Sequence, residues 1–418
     1  MKNSKIQINS NKDDNIIDFS TKFKNNKINN IFYLKKLNLQ KFRNHLNLNL
    51  ILSDSPILIY GENGCGKTNI LEAISLLGPG KGLRKSKSED YLLKNISSNE
   101  ENRLWGVNAD LQTPSGNINI GTGSLQKSLK KSRNMRINFE NSSQSSVGEI
   151  LKISWVTPQM CMLFQLSMSE RRRFIDRLTS TLDSSHINRV FRYEKLIRER
   201  SNIIFQFKNE TIWLNAIEKK ISELSVCIAA SRLNLILELD NLYEEESRNG
   251  SLVNGFPPAK IELKGDIENL LIRNSAIHVE DQIQQILKKG NIKNDISFNG
   301  PHTTQINIIN RNNGKQVEIS STGEQKLILI SIILSHARML NIKFNMPPIL
   351  LLDDIIEHLD EKHRHALFLE VSKHFAQSWF TSTNKEPFET FPNIINKIFL
   401  PKVMNNNKGY YDYRNGDV

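Results

Sequence analysis

The chain has 418 residues, of which 38% are hydrophobic and 24% charged, so it is long enough and apolar enough for two or three globular domains. A net charge of +12 suggests a polyanionic partner, although heavy use of lysine and asparagine weakens that inference. The three cysteines are too scattered for a disulfide framework. The sequence has no apolar run of the roughly 20 residues that span a membrane and no secretory signal. These features predict a cytoplasmic protein with no membrane partner.

Changes in the pattern of polar and apolar residues along the sequence predict that the chain has three parts. Residues 1–30 are polar and of low complexity, which predicts a disordered tail. Strand-like alternation begins at residue 31, and we expect residues 31–165 and 290–418 to form one α/β domain of mixed sheets and helices. Residues 166–289 are charged and helical in pattern, so they predict a separate helical lobe with a small strand-containing part.

A phosphate-binding loop is predicted between a short apolar strand at 56–60 and the helix that follows it, because this segment fits the pattern G-x-x-x-x-G-K-[ST]. Glycines let backbone N–H groups close on phosphates, and the helix N-terminus adds its positive end. The lysine of such a loop reaches the β- and γ-phosphates of ATP, and the hydroxyl of its last residue binds Mg²⁺. The predicted ATP-binding residues are Gly61, Glu62, Asn63, Gly64, Cys65, Gly66, Lys67 and Thr68.

A second apolar strand, at 349–352, ends on the paired acids Asp353 and Asp354. Paired acids at a strand end can be turn residues, but together with an upstream phosphate-binding loop they are typical of a Walker B motif. We expect Asp353 to hold Mg²⁺ and Asp354 to polarise the attacking water.

The segment 320–326, Ser-Ser-Thr-Gly-Glu-Gln-Lys, begins a long apolar helix. Locally it predicts a helix N-cap with an acidic first turn. Its hydroxyls and N–H groups also offer a second phosphate site, which a subunit stacked head to tail would place on the γ-phosphate of its partner. Residues 358–360 then resemble the D-loop of ABC ATPases. This motif order predicts a P-loop ABC-type ATPase head with an inserted helical second lobe.

Further short segments occur in the order and spacing of the RecF family of bacterial recombination-repair ATPases, which the chain resembles from residue 31 onward. Besides the loop, signature and Walker B segments, they are Phe42-Arg43-Asn44-His45, Gly80-Lys81-Gly82-Leu83-Arg84, Thr157-Pro158-Gln159-Met160, Arg171-Arg172-Arg173-Phe174 and Gly300-Pro301-His302. The segments at 157–160 and 321–326 are most similar to the alphaproteobacterial branch of the family.

The resemblance implies a monomer that forms a homodimer when ATP is bound and that hydrolyses ATP slowly. It implies binding to duplex DNA and to single-strand/double-strand junctions at gaps. It also implies RecR as a partner in the loading of RecA, and roles in DNA repair, replication maintenance and the SOS response.

The same resemblance assigns roles to single residues by position. Arg43 would contact the nucleotide, Gln159 would lie near Mg²⁺ and the attacking water as a catalytic residue, and Ser321 and Gly323 would bind the γ-phosphate in trans. The residues placed on the DNA-facing side are Lys81, Arg84, Lys85 and Lys87.

A basic run within residues 126–136 contains no acidic residue. It is either a solvated loop or a phosphate-contacting patch, and in the second case Lys130 and Lys131 are further predicted DNA contacts.

Three positions depart from the family pattern. The family usually has an arginine after Gly-Pro-His, an acid two positions later, and Thr-x-Thr-Asp beyond Walker B. This chain has Thr303, Gln305 and Asn384 at those places. The roles of the three positions, like that of residues 1–30, stay open.

Three other classes of protein share parts of the motif order. A transporter ATPase subunit is disfavoured, because the insertion between Thr68 and the signature is longer than a compact nucleotide-binding domain needs. A coiled-coil protein of the SMC or Rad50 type is disfavoured, because Pro257 and Pro258 interrupt an insertion too short for a long rod. A non-hydrolysing scaffold stays open. For an ATPase we expect Asp353→Asn or Lys67→Ala to abolish ATP-dependent dimerisation or turnover.

Overall fold

The computed structural model describes residues 16–18, 32–93, 104–124, 133–206, 211–250, 252, 255–292, 298–375, 377–391 and 395–401. The strands within these residues are β1 (Ile16–Asp18), β2 (Tyr33–Phe42), β3 (His45–Ile51), β4 (Ile57–Tyr60), β5 (Gly106–Thr113), β6 (Gly116–Ser124), β7 (Arg133–Ile137), β8 (Glu140–Ser142), β9 (Ile153–Val156), β10 (Ala259–Lys264), β11 (Gln305–Asn310), β12 (Ile349–Leu352), β13 (Ser378–Ser382) and β14 (Asn396–Phe399).

The α-helices in the same part of the chain are α1 (Lys67–Leu76), α2 (Gln144–Ile150), α3 (Met168–Leu182), α4 (His186–Gln206), α5 (Thr211–Arg248), α6 (Asp266–Arg273), α7 (Ala276–Ile292), α8 (Thr322–Phe344) and α9 (Glu361–His374). Shorter 3-10 helices include Ser88–Tyr91, Pro158–Gln165 and Val317–Ile319. The combination of mixed sheets and helices confirms the predicted α/β fold class.

The chain divides into two compact units, one formed by Met1–Pro158 with Leu340–Val418 and the other by Gln159–Met339. Most of the second unit is the predicted helical lobe, 166–289. The unit extends further along the chain than predicted, however, because residues 305–339 belong to it.

Pairings across the sequence explain this difference. β11 pairs antiparallel with β10, which ties residues beyond 290 to the lobe. Within the same unit, Thr181 Oγ1 and His336 Nε2 form a hydrogen bond of 2.9 Å, and Arg338 forms an ion pair with Glu246 at 2.6 Å. These contacts attach the second half of α8 to α3 and α5, and no local sequence pattern encodes them.

A five-stranded sheet in the first unit has the order β14-β4-β13-β12-β9, with all neighbours parallel. Parallel sheets are covered on both faces and therefore need apolar strands, and every residue of β9, β12 and β13 is buried. Parallel strands end at one edge of the sheet, so the segments that follow β4 and β12 meet there with the end of β13 between them. This edge carries the candidate site.

The first unit also holds a seven-stranded sheet in the order β1-β3-β2-β5-β6-β7-β8. Its neighbours are antiparallel except for β1 and β3, which pair in parallel. A two-residue turn, Arg43-Asn44, joins β2 to β3 and leaves Phe42 opposite His45. Arg43 has a φ of 57°, and the turn directs both of its side chains to α1 and the loop before it.

Strand β1 lies in the predicted disordered tail. Ile16–Asp18 pair with residues 49–51 of β3, so the prediction of disorder does not hold for these three residues. The remainder of residues 1–30 lies outside the described residues.

The second unit is organised around a buried ionic cluster and an apolar core supplied by α4, α5, α6 and α7. Asp176 of α3 accepts hydrogen bonds from Arg232 Nε at 2.8 Å and Nη2 at 3.0 Å, and His186 Nε2 lies 2.8 Å from it. Burial raises the pKa of the Asp176 carboxyl, but Arg232 and His186 together outweigh burial, so the pKa is lowered. Breaking such a buried pair is strongly destabilising.

Helix α8 is the one described helix that is long and apolar enough, by length and composition, to cross a membrane. The mean hydropathy of its most apolar 18 residues is 1.5, and 67% of that window is buried inside the protein. An apolar helix with most of its surface buried is typical of a protein core.

Candidate nucleotide-binding site

The predicted phosphate-binding loop follows β4 and leads into α1. Gly66 is the N-cap of α1 with a φ of 109°, which L side chains rarely adopt. A Cβ at Gly66 would lie 2.4 Å from Asn44 Nδ2, and that nitrogen donates to Cys65 O at 2.8 Å. Glycine is therefore required both by the turn and by the close approach of the β2–β3 turn.

Lys67 begins α1, and its side chain folds back over the loop. Its Nζ donates to Gly61 O at 2.8 Å and to Glu62 O at 3.3 Å. Lys67 is buried, whereas residues 62–64 are exposed. The ammonium thus lies inside a loop whose tip is open to solvent, where an anion can approach the helix N-terminus.

Two threonine hydroxyls converge on Asp353. Thr68 Oγ1 donates to Asp353 Oδ1 at 2.8 Å, and Thr381 Oγ1 donates to the same oxygen at 2.9 Å. Burial is the main cause of a raised pKa of Asp353; the two hydroxyls lower it, and the charge of Asp354 raises it again. A buried carboxylate next to a second acid is stabilised by a cation.

The donor set suits Mg²⁺, which prefers hard oxygen ligands and usually keeps several waters and substrate phosphates in its shell. Thr68 Oγ1 and Asp353 Oδ1 supply two protein oxygens within 2.8 Å of each other. Among the described residues no group of three or more His, Cys, Asp and Glu could hold a metal by itself. The two oxygens therefore fit a nucleotide-bound metal ion better than an all-protein metal cage.

Asp354 follows Asp353 at the end of β12 in a left-handed conformation, with a φ of 48°. Its backbone N donates to Thr381 Oγ1 at 2.8 Å. The hydroxyl of Thr381 therefore connects both acids, and this threonine was not predicted from the sequence. Its position at the end of the neighbouring parallel strand was the available signal.

Glu357 is a second residue that the sequence did not single out. One carboxylate oxygen accepts hydrogen bonds from Thr383 N and Thr383 Oγ1, both at 2.7 Å, and from Ser382 Oγ at 3.3 Å. Burial raises the pKa of Glu357, but the Thr383 contacts outweigh it and lower the pKa. This acid contacts the Ser-Thr-Asn turn, 382–384, which departs from the family pattern. Within the turn, Asn384 N donates to Ser382 Oγ at 3.2 Å.

Arg43, predicted to contact the nucleotide, is held by the buried Glu72 of α1. Its Nε and Nη2 donate to the two carboxylate oxygens at 2.8 and 2.7 Å. Arg84 Nη1 also donates to Glu72 at 3.2 Å, and to Asn69 Oδ1 at 2.6 Å. Glu72 thus anchors two arginines beside α1, a role that its sequence position did not reveal. Contact between Arg43 and the nucleotide stays a prediction.

His45 lies behind the loop, with Nε2 at 3.3 Å from Gly66 O. Burial lowers the pKa of His45 to about 4, although the Gly66 carbonyl opposes this. The ring is therefore neutral at pH 7, and in the folded protein it becomes charged only at about pH 4 and below.

We expect the protein to lose stability as the pH falls from about 6.5 toward 4. In that pH range His45 is protonated in the unfolded chain but not in the folded chain. This residue alone therefore lowers the free energy of unfolding by about 2 kcal/mol at pH 5. The check is the urea midpoint at pH 7 and pH 5 for the wild type and for His45→Gln, which cannot titrate. Equal pH dependence in the two proteins would contradict the assignment.

The signature segment lies in the second unit. Ser321 Oγ accepts from Glu324 N at 3.3 Å, which confirms the predicted N-cap of α8. Gln325 Nε2 donates to Val317 O at 3.1 Å and to Ser320 O at 3.1 Å, which fixes the approach to the helix. Ser321 and Gly323 are exposed, so the N-terminus of this 23-residue helix is accessible to an external ligand.

Gln159, Thr303 and Gln305 are the remaining residues that the sequence singled out. Gln159 is exposed in the first turn of the 3-10 helix Pro158–Gln165, and its catalytic role stays a prediction. Thr303 Oγ1 donates to Gly300 O at 2.8 Å, and Gln305 is exposed at the start of β11.

The predicted DNA contacts lie in the segment that follows α1. Lys81, Lys85 and Lys87 are exposed, whereas the guanidinium of Arg84 is partly engaged by Glu72. Lys130 and Lys131 lie outside the described residues.

Comparison with known proteins agrees with this architecture. Residues 33–405 match the family model described as the RecF/RecN/SMC N terminal domain. A DNA replication and repair protein RecF from Mesorhizobium japonicum is 35% identical over 362 residues, which are 86% of this chain and 93% of that protein. The protein of the same name from Brucella abortus is 34% identical over 360 residues, with 85% and 91% covered.

Two solved structures share the fold. The recombination mediator protein RecF-ATPrS of the RecFOR pathway has a TM-score of 0.72 at 22% identity and covers 90% of this chain and 99% of its own. The RecF-ATP structure of the same pathway has a TM-score of 0.70 at 22% identity, with 88% and 98% covered. The chain therefore shares its fold with these two RecF structures.

Proposed function

Because this chain belongs to the RecF family, within the wider RecF/RecN/SMC group, we propose that it is an ATP-binding protein of DNA replication and repair. The observation that carries the proposal is the cluster of Thr68, Asp353 and Thr381 beside the phosphate-binding loop. It brings the two halves of a Walker-type site to one edge of a parallel sheet. The relatives named DNA replication and repair protein RecF, and the similar RecF-ATP structure, support the same proposal.

In this proposal the loop residues 61–68 surround the ATP phosphates. Lys67 exchanges its carbonyl partners for β- and γ-phosphate oxygens, and the N–H groups at the start of α1 donate to the same phosphates. Thr68 and Asp353 would hold Mg²⁺, and the ion would supply positive charge beside the phosphates. Asp354, aided by Gln159, orients the attacking water for a slow hydrolysis step.

We propose that a second copy of the chain completes this site. The exposed N-terminus of α8 offers Ser321 Oγ and the N–H groups near Gly323 to a γ-phosphate bound by the partner. ATP then acts mainly as a clamp between two subunits, and its hydrolysis releases them.

The partner of the ATP-bound dimer is proposed to be duplex DNA and its junctions with single strands at gaps. The exposed lysines after α1 supply phosphate contacts, which carry affinity without reading sequence. Binding of RecR, help in RecA loading and a part in the SOS response belong to the same proposal and are supported by the family membership.

The test is binding of labelled gapped duplex, intact duplex and single-stranded DNA to the wild-type protein, with and without ATP and Mg²⁺. We expect ATP-dependent binding that is tightest for the gapped duplex and that falls steeply with salt, because each neutralised phosphate releases counterions. Equal affinity with and without ATP, or a preference for single strands, would overturn the proposed function.

A further inference from the structure

A cleft of about 410 Å³ opens in the first unit beside the segment that follows α1. Its wall contains residues 80–81 and 85–89, together with Tyr91, Arg133 of β7 and Gln144 of α2. Four of the lining residues are cations and one, Glu89, is an acid. No residue of the phosphate-binding loop lines this cleft, so it is separate from the nucleotide site. The four cations are Lys81, Lys85, Lys87 and Arg133.

Arg133 differs from the three lysines, which are exposed, because it is partly buried. Its Nη2 donates to Gly78 O at 3.2 Å, and its Nε is buried without a hydrogen-bond partner among the described residues. Burial lowers the pKa of Arg133 to about 10, and only the nearby Tyr91 opposes this. The guanidinium is thus charged at neutral pH and partly desolvated, and it forms no ion pair with an acid among the described residues. An anion in the cleft stabilises such an arrangement.

The wall that carries the lysines is fixed by hydrogen bonds. The hydroxyl of Tyr91 lies 3.0 Å from Ser86 O and 3.2 Å from Lys81 O, Gly80 N donates to Gln144 Oε1 at 2.9 Å, and Trp105 Nε1 donates to Ser88 O at 2.9 Å. Tyr91 also stacks on Phe42, with ring centroids 5.7 Å apart. A site held in place before binding loses less entropy when the ligand arrives.

We propose that this cleft binds a phosphate group of a DNA strand, with Arg133 at its base and Lys81, Lys85 and Lys87 around it. The inference rests on the proposed DNA binding and extends it with a partly buried arginine at the base of a cleft. A guanidinium has five N–H donors in a planar fork that matches phosphate oxygens, and the described contacts of Arg133 use one of them. The phosphate comes either from the backbone or from a strand end at a gap.

The test compares Arg133→Gln with Arg136→Gln in binding gapped duplex DNA with ATP over a series of salt concentrations. The two residues are three positions apart on β7, so their side chains leave opposite faces of the strand. Both variants lose one charge, but only the first loses a cleft residue. We expect Arg133→Gln to bind about 10-fold more weakly, with a salt slope about one unit smaller. We expect a clearly smaller effect from Arg136→Gln.

Gapped DNA with a 5′-phosphate and with a 5′-hydroxyl separates the two sources of the phosphate. A loss confined to the phosphorylated DNA assigns the cleft to strand ends, and an equal loss on both assigns it to the backbone. ATP binding shows whether each variant is folded. If Arg133→Gln fails that check, Lys81→Gln, an exposed position, is expected to show the same direction of change.

The outcomes separate this inference from the proposed function. A wild-type protein that binds gapped DNA, while Arg133→Gln and Lys81→Gln bind it no worse than Arg136→Gln, overturns the cleft assignment and leaves DNA binding intact. A wild-type protein that binds no DNA overturns the proposed function and the cleft assignment with it.

Discussion

Lys67→Ala is expected to weaken ATP binding by at least about 100-fold, because two charge-assisted hydrogen bonds to phosphate oxygens contribute about 1.5–3 kcal/mol each. The ammonium already lies within the loop, donating to the carbonyls of Gly61 and Glu62, so it needs only a small movement to reach a phosphate. ATP affinity measured by calorimetry or by displacement of a fluorescent nucleotide checks this expectation.

Lys35→Ala is the matched control for this variant. Lys35 is exposed on β2 and makes no predicted contact with the nucleotide. We expect its ATP affinity to equal that of the wild type. An Lys67→Ala protein that binds ATP within about threefold of the wild type would mean that the loop is not the phosphate-binding site.

Asp353→Asn is expected to reduce ATP turnover by at least about 100-fold while the protein stays folded. The amide is the same size and can still accept from Thr68 and Thr381, but it lacks the charge that a Mg²⁺ ligand supplies. The readout is release of phosphate per chain under saturating ATP, together with the Mg²⁺ dependence of ATP binding, which we expect to become weak in the variant.

Asp54→Asn makes the same chemical change at an exposed position between β3 and β4, and we expect it to keep wild-type turnover. Turnover by Asp353→Asn at the wild-type rate would rule out Asp353 as the carboxylate of the catalytic metal site. Absence of turnover in the wild type, with ATP binding and dimerisation intact, would favour a non-hydrolysing clamp.

The sequence predicts which segments meet at the candidate nucleotide site, because the motifs that define these segments are local. The apolar runs at 57–60 and 349–352 form β4 and β12, and the motifs at their ends lie together because parallel strands end at one edge. Thr381 shows the limit of this reasoning. Its hydroxyl contacts both acids, but the signal for this role is its position at the end of the strand beside β12. The order of strands in a sheet is not a local property of the sequence.

Contacts between distant segments account for what the sequence does not reveal. From the sequence alone, Glu72 is an ordinary polar residue of a helix. In the structure it is buried and forms ion pairs with Arg43 and Arg84, which come from two different segments. The end of the second unit is a similar case. Its position depends on the pairing of β10 with β11 and on Arg338 meeting Glu246, and neither is visible in hydrophobic periodicity.

In the proposed function, ATP joins two copies of this chain through the phosphate-binding loop of one copy and the signature segment, residues 320–326, of the other. The most direct measurement is the molar mass in solution, by light scattering, with Mg²⁺ and either no nucleotide or a non-hydrolysable ATP analogue. We predict the 48.0 kDa of one chain without nucleotide and twice that mass with the analogue. We predict a single-chain mass under both conditions for Ser321→Arg, which should still bind ATP. A wild-type protein that binds the analogue and keeps the mass of one chain would contradict the account.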